Sequence, residues 1–299
     1  MALAPVTIFT YNRVEHTRQT VEALKKNSYA SESELVVFSD YAKNESETEK
    51  VNAVRKYLKS ISGFKNIRIV ERERNYGLAV NIIEGVSDVI NEYGKIIVLE
   101  DDLLTSPFFL KYMNEALDLY EKHDQVISIH GYIYPVTDPV SETFFLIDPG
   151  SLGWGTWKNR WSEYERDGSK LLRKIEEGNL AKEFNYDNSY PFLDMLKNQV
   201  EGRNSSWVIR WYGQAILQRK LTLYPARSLV FHNGNDGSGT HEGSSDVLDV
   251  ELSDRPIKVE LVPIEISTAG RNAFKNYFKR VHPHLLGKII RKIRKIFAA

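Results

Sequence analysis

Three consecutive carboxylates, Glu100-Asp101-Asp102, close the apolar run Lys95-Ile96-Ile97-Val98-Leu99. Acids packed this closely repel one another, and a divalent cation held among their oxygens relieves that repulsion. Four aliphatic residues in a row mark a strand buried on both faces, so the acids emerge where a parallel sheet opens onto a ligand crevice. A metal-dependent nucleotide site is the chemistry on offer. An ordinary solvated strand end is the plainer alternative, and the neighbouring sequence has to decide between them.

Other polar clusters end other strand-like runs. Val6-Thr7-Ile8-Phe9-Thr10 leads into Tyr11-Asn12-Arg13, and Leu35-Val36-Val37-Phe38-Ser39 leads into Asp40. Asp40 could accept a hydrogen bond from a base ring nitrogen, while Thr10, Asn12 and above all Arg13 could contact ribose or phosphate. In Arg72-Glu73-Arg74-Asn75-Tyr76-Gly77, the glycine stands just ahead of a helical pattern, where backbone amides could meet an anion or where glycine only makes the turn. The segment Asp148-Pro149-Gly150-Ser151-Leu152-Gly153-Trp154-Gly155-Thr156-Trp157 offers flexible backbone and flat indoles, suited either to a sugar face or to a core. Phe231 to His241 holds three glycines and two histidines, a composition for a lid over a diphosphate or for a plain surface loop.

The elements that must position these groups follow from periodicity. Ile67-Arg68-Ile69-Val70 and Ile96-Ile97-Val98-Leu99 complete a set of four strands. Between them run apolar residues at spacings of three and four: Val14, Val21 and Leu24; Val51, Val54, Tyr57, Leu58 and Ile61; Leu78, Ile82, Val86, Val89 and Ile90. Strands alternating with such helices predict βαβ units and a mainly parallel sheet. Ser106-Pro107 predicts a capped helix start, with Phe109, Met113, Ala116, Leu117 and Tyr120 on its buried face. From about residue 126 short apolar runs alternate with turns and aromatics, and no linker separates the halves. The reading is one domain over residues 1–268, with a nucleotide half (1–125) and an acceptor half (126–268), followed by a tail over 269–299.

Composition narrows the classes. The 299 residues contain no cysteine, which excludes a disulfide framework, a thiolate metal site and a thiol nucleophile. The first residues lack the pattern of a signal peptide and no segment reads as a membrane span, so a cytoplasmic protein is expected. Net charge is zero, yet residues 271–299 carry nine Lys or Arg and no acid, leaving an acidic body with a basic tail. Leu285, Leu286, Ile289, Ile290, Ile293, Ile296 and Phe297 fall on one helical face of that tail and the basic residues on the other. Such a helix suits an anionic membrane surface, with docking on the body or on a second copy as the alternative. Nucleic acid is disfavoured by the acidic body.

The order Thr-Tyr-Asn-Arg, Ser-Asp, Asn-x-Gly, then Glu100-Asp101-Asp102-Leu103 with Ser106-Pro107-Phe108-Phe109, and later Leu152-Gly153-Trp154, resembles the nucleotide-sugar glycosyltransferases of the glycosyltransferase-A fold. It is most similar to the branch of the Golgi N-acetylglucosaminyltransferases and of bacterial surface-polysaccharide enzymes, over about residues 5 to 245. The resemblance implies that Asp40 reads a uracil, that Arg13 helps hold the nucleotide, and that Asp102 binds a divalent metal, Mn2+ or Mg2+, at the diphosphate. Glu100 and Asp101 would lie against ribose or donor sugar, with Asn75 and Gly77 supporting the site and Gly153 and Trp154 near donor or acceptor. His232 would reach the metal and His241 the phosphate or lid.

The implied reaction moves a sugar from a UDP-linked donor to a glycan or lipid-linked saccharide acceptor, with inversion, on the inner face of the cell membrane. Related inverting enzymes place a catalytic carboxylate at the start of the helix that here reads Ser205-Ser206-Trp207-Val208. Its absence leaves Asp236 as the preferred base, ahead of Glu201. A sugar-nucleotidyltransferase and a non-catalytic glycan-binding scaffold on the same fold are the competing classes.

Overall fold

The computed structural model describes residues 2–234 and 246–296, with side chains described within 2–234 and 247–282. Its front half is β1 (Val6–Thr10), α1 (Val14–Lys25), β2 (Glu34–Ser39), α2 (Thr48–Leu58), β3 (Asn66–Glu71), α3 (Gly77–Tyr93) and β4 (Lys95–Glu100). Each strand falls on its apolar run and exceeds it by no more than one residue at either end. β1 pairs in parallel with β2 and β4, and β2 with β3. Alternation in β4 explains its continuous apolar run: Ile97 and Leu99 join the core with Val21, Leu24 and Val54 on one face, while Ile96 and Val98 meet Ile82, Val86 and Val89 of α3 on the other.

The acids turn into β5 (Leu103–Thr105) and then α4 (Phe109–Leu119). The expected helix start at Ser106-Pro107 comes two residues early. Ser106 Oγ donates to the Ser253 carbonyl at 2.7 Å and receives the Phe108 N–H at 3.4 Å, so it ties a turn to a distant loop before the helix opens. Phe109, Met113, Ala116, Leu117 and Tyr120 are all buried, as their spacing predicts.

The remainder is β6 (Val126–His130), β7 (Thr143–Leu146), β8 (Trp154–Trp157), α5 (Lys158–Trp161), α6 (Gly168–Glu177), α7 (Ala181–Phe184), α8 (Phe192–Val200), α9 (Val208–Gln218), β9 (Leu221–Pro225), β10 (Val230–His232) and α10 (Thr268–Ile296). Among the described residues the main sheet has the order β3-β2-β1-β4-β8-β6-β9-β7, and β10 pairs with β5 in a second, two-stranded sheet. Most strands of this sheet run in one direction, as expected, with two exceptions. β8 runs antiparallel between β4 and β6, β7 runs antiparallel beside β9, and β6 and β9 are parallel, so the sheet is mixed. Since β8 is antiparallel to both neighbours, β4 and β6 point the same way and their carboxyl ends open on one edge.

The boundary expected at residue 269 falls inside a single helix. α10 begins at Thr268, and its Phe274, Tyr277 and Phe278 are buried against Tyr134 and Tyr186, so this stretch belongs to the body. The apolar and basic side chains expected to meet a membrane lie beyond 282, outside the described side chains. Among the described residues no helix is long and apolar enough to cross a membrane.

Under α9 and α10 lies a buried acid. Asp148 follows β7 among Tyr186, Tyr212, Tyr134 and Tyr224, and burial raises its carboxyl pKa to about 7, opposed by Tyr186. Because the folded value lies above the unfolded one, the native state binds the extra proton between about pH 4 and pH 7. Stability then falls as pH rises through that window and stays lower above it. Asp148→Asn is expected to remove roughly 3 kcal/mol of that fall, read as the difference between urea unfolding at pH 5 and at pH 8. An unchanged difference in the variant would contradict the assignment.

Candidate functional site

The carboxyl ends of β1, β2, β3 and β4 share one edge, and the polar clusters meet there. Asp102 is 8% exposed and Asp101 4%. Arg13 Nη2 lies 2.5 Å from Asp101 Oδ1 and 2.7 Å from Asp102 Oδ2. The Tyr11 N–H donates to Asp101 Oδ2 at 3.4 Å. Thr20 Oγ donates to the Asp101 carbonyl at 2.9 Å and accepts the Leu103 N–H at 3.2 Å, which pins the acid turn to α1.

The second sheet brings in the histidine. Antiparallel pairing of β10 with β5 sets His232 opposite Leu103, next in sequence to Asp102, and His232 Nε2 stands 3.3 Å from Asp102 Oδ2. The Asn233 N–H donates to the Asp102 carbonyl at 3.0 Å, fixing the chain as it leaves the strand. Burial and mutual repulsion raise the pKa of Glu100, and burial raises that of Asp101 despite Arg13. For Asp102 burial also pushes upward, but the hydrogen bond from His232 and the charge of Arg13 overcome it and hold the carboxyl low. Asp102 is thus the acid held lowest of the three.

These groups fit a divalent cation. Asp102 and His232 present an oxygen and a nitrogen toward each other, and Gly234 stands where any Cβ would overlap Asp102 Oδ2, so the space depends on glycine. Among the described residues His232 Nδ1 is buried without a hydrogen-bond partner, and no group of three His, Asp or Glu converges as a complete metal shell. A carboxylate oxygen and an imidazole nitrogen would leave positions on the ion for phosphate and water, and the carboxylate suits Mn2+ or Mg2+ alike.

Asp40 has a different task from the expected one. Its Oδ1 accepts the N–H groups of Tyr41 and Tyr76, both at 2.9 Å, and its Oδ2 accepts Gly77 N–H at 2.9 Å and Asn75 Nδ2 at 3.2 Å. A carboxylate with four donors on its two oxygens has no vacant acceptor for a base nitrogen. It shapes the turn into α3 instead, with Gly77 at φ +69°, where other residues would be strained. Asn75 also donates to the Tyr41 carbonyl at 2.6 Å. Asp40→Ala strands these N–H groups and is expected to cost about 2 kcal/mol. A urea midpoint unchanged from the parent would contradict the anchoring role.

Thr10 is buried with its hydroxyl on the Phe38 carbonyl at 3.3 Å, and Asn12 is bound to Glu47, a partner the sequence reading did not single out. Trp154, expected near donor or acceptor, packs in the core instead. It is 1% exposed in the central strand β8, ring against ring with Trp161 and Trp207 at 5.6 and 5.2 Å, and cannot reach a sugar. Gly153 is buried too, its carbonyl accepting the Gly131 N–H at 2.7 Å. Glu201 is exposed at the end of α8 and paired with Arg203. Asp236 and His241 lie outside the described residues.

Sequence reasoning missed Tyr11, Thr20 and Asn233. Thr20 is a hydroxyl on the buried face of a helix, a signal worth following when that helix packs beside an acid turn.

Residues 6–177 match the model of glycosyl transferase family 2. This chain belongs to that family. No curated protein matches it. Among solved structures the similarities are distant. S. aureus TarS matches at 15% identity over 46% of this chain and 23% of that one, with a TM-score of 0.32. TarS 1-349 matches at 12% over 77% and 60%, with a TM-score of 0.43. The mannosyltransferase PcManGT from Pyrobaculum calidifontis, in complex with GDP-Man and Mn2+, matches at 12% over 58% and 47%, with a TM-score of 0.35. The chain thus spans from about a quarter to three fifths of the length of these proteins.

Proposed function

We propose that this family 2 glycosyltransferase moves a sugar from a UDP-linked donor to a glycan or lipid-linked saccharide, with a divalent cation, Mn2+ or Mg2+, at Asp102 and His232. The observation that carries the proposal is the meeting of Asp102, His232 and Arg13 at the carboxyl end of β4, in a chain whose residues 6–177 match the family model. When bound, the cation neutralises charge that builds on the departing diphosphate.

The protein supplies the remaining parts. The Asp40-anchored turn with Asn75 and Gly77 shapes the base and ribose side of the crevice, and Arg13 supplies a fork that suits phosphate oxygens. Glu100 and Asp101 border the donor sugar. Asp236 is the proposed base that takes the acceptor proton in an inverting displacement, preferred because its stretch of sequence also carries candidate ligand residues, and His241 is a phosphate contact on the strength of the resemblance. The body, with the start of α10 packed on it, serves as the catalytic unit, and the basic, apolar sequence after residue 282 holds the enzyme to the anionic inner face of a membrane, where a lipid-linked acceptor resides.

Calorimetric titration with UDP, GDP and CMP, each with and without Mn2+, tests this reading. UDP binding that requires Mn2+ is expected. Failure of every nucleotide to bind in either condition would overturn it in favour of a glycan-binding scaffold.

A further inference from the structure

The acid site already contains a cation of the protein's own. Arg13 contributes a single nitrogen, Nη2, to both Asp101 and Asp102, and its side chain is 18% exposed beside carboxylates that are 6% and 12% exposed. The oxygen it holds on Asp102, Oδ2, is the one that faces His232 Nε2. A guanidinium does not give up its proton in a protein, so this charge leaves only if the side chain moves.

We propose that Arg13 is a built-in counter-cation that occupies the acids in the nucleotide-free enzyme and opposes a divalent cation there until a diphosphate draws the guanidinium away. The inference rests on the metal reading above and concerns the order in which that site fills. A metal ion entering between Asp102 and His232 shares an oxygen with a positive group 2.7 Å away, in a partly buried pocket where charges are weakly screened. A diphosphate offers the same planar fork a second set of anionic oxygens, so Arg13 gains a partner as it releases the carboxylates. Metal and nucleotide then bind with positive coupling, each strengthening the other by the same factor. The arrangement also keeps Asp101 and Asp102 from repelling one another when no metal is present.

The test is Mn2+ affinity, followed by the electron paramagnetic resonance of the free ion, for the full-length chain and for Arg13→Gln, with and without UDP. In the parent, UDP is expected to tighten Mn2+ binding by about 100-fold. Arg13→Gln is expected to bind Mn2+ about 10-fold more tightly than the parent without UDP and to keep only about 10-fold coupling, the part owed to phosphate oxygens. Arg13→Lys, which keeps a charge but not the planar fork, should fall between them and covers the case in which the glutamine variant does not fold. Nucleotide-free affinity equal to or weaker than the parent in both variants would overturn the proposal while leaving the metal site standing. Absence of Mn2+ binding to the parent even with UDP would overturn the metal reading, and this inference with it.

Discussion

Asp102→Asn is expected to lower transfer by about a thousandfold, measured as nucleoside diphosphate released under saturating donor. Asparagine keeps the size of the side chain but removes the charge that Arg13 and His232 both engage. Of the three acids it is Asp102 whose oxygen faces His232 Nε2 at 3.3 Å, so a charge on Glu100 or Asp101 does not reproduce its position. Loss of metal-dependent UDP binding should accompany the loss of turnover, and chelation of the metal in the parent should reproduce both. Turnover within about tenfold of the parent would mean that the charge at this position does not carry the reaction.

Trp154→Ala is expected to cost about 3–5 kcal/mol of stability, the range for removing a large aromatic from a packed interior. Trp154 sits in β8 between β4 and β6, and its ring fills the space beneath Trp161 and Trp207. Trp154→Phe should recover much of the loss while leaving donor affinity unchanged, because the ring does not reach the crevice. Urea unfolding with parallel calorimetry separates the two roles. A stable alanine variant with weakened donor or acceptor binding would return this residue to the site.

These two residues mark what the sequence disclosed and what it hid. Asp102 was legible because β4 announces itself: an unbroken aliphatic run buried on both faces can end only at a sheet edge, and three acids there are a chemical statement. The same holds for β1 and β2, read from short strand-like runs, and for α3, whose spacing of three and four is set by local sequence. Trp154 was ambiguous because glycine and tryptophan serve a sugar face and a core equally well. Only its pairing with β4 and β6 decides, and that pairing joins residues far apart in the chain.

His232 illustrates the same limit from the other side. Its type suggested a ligand, but its place beside Asp102 depends on the short pairing of β10 with β5, which has no local signature. The resemblance assigned Asp40 a base contact, whereas its oxygens are filled by the N–H groups of Tyr41, Tyr76 and Gly77 and by Asn75, partners fixed by the turn geometry rather than by residue type alone. The start of α10 carries basic residues, yet the buried Phe274, Tyr277 and Phe278 show that aromatic packing on the body governs that part of the helix, the alternative open from sequence.

Crystals grown with UDP and Mn2+ would test the central claim most directly, through the anomalous scattering of manganese. A manganese peak within about 2.5 Å of the Asp102 carboxylate and beside the UDP phosphates is the predicted result. UDP bound with no manganese at Asp102, or manganese bound elsewhere, would contradict it.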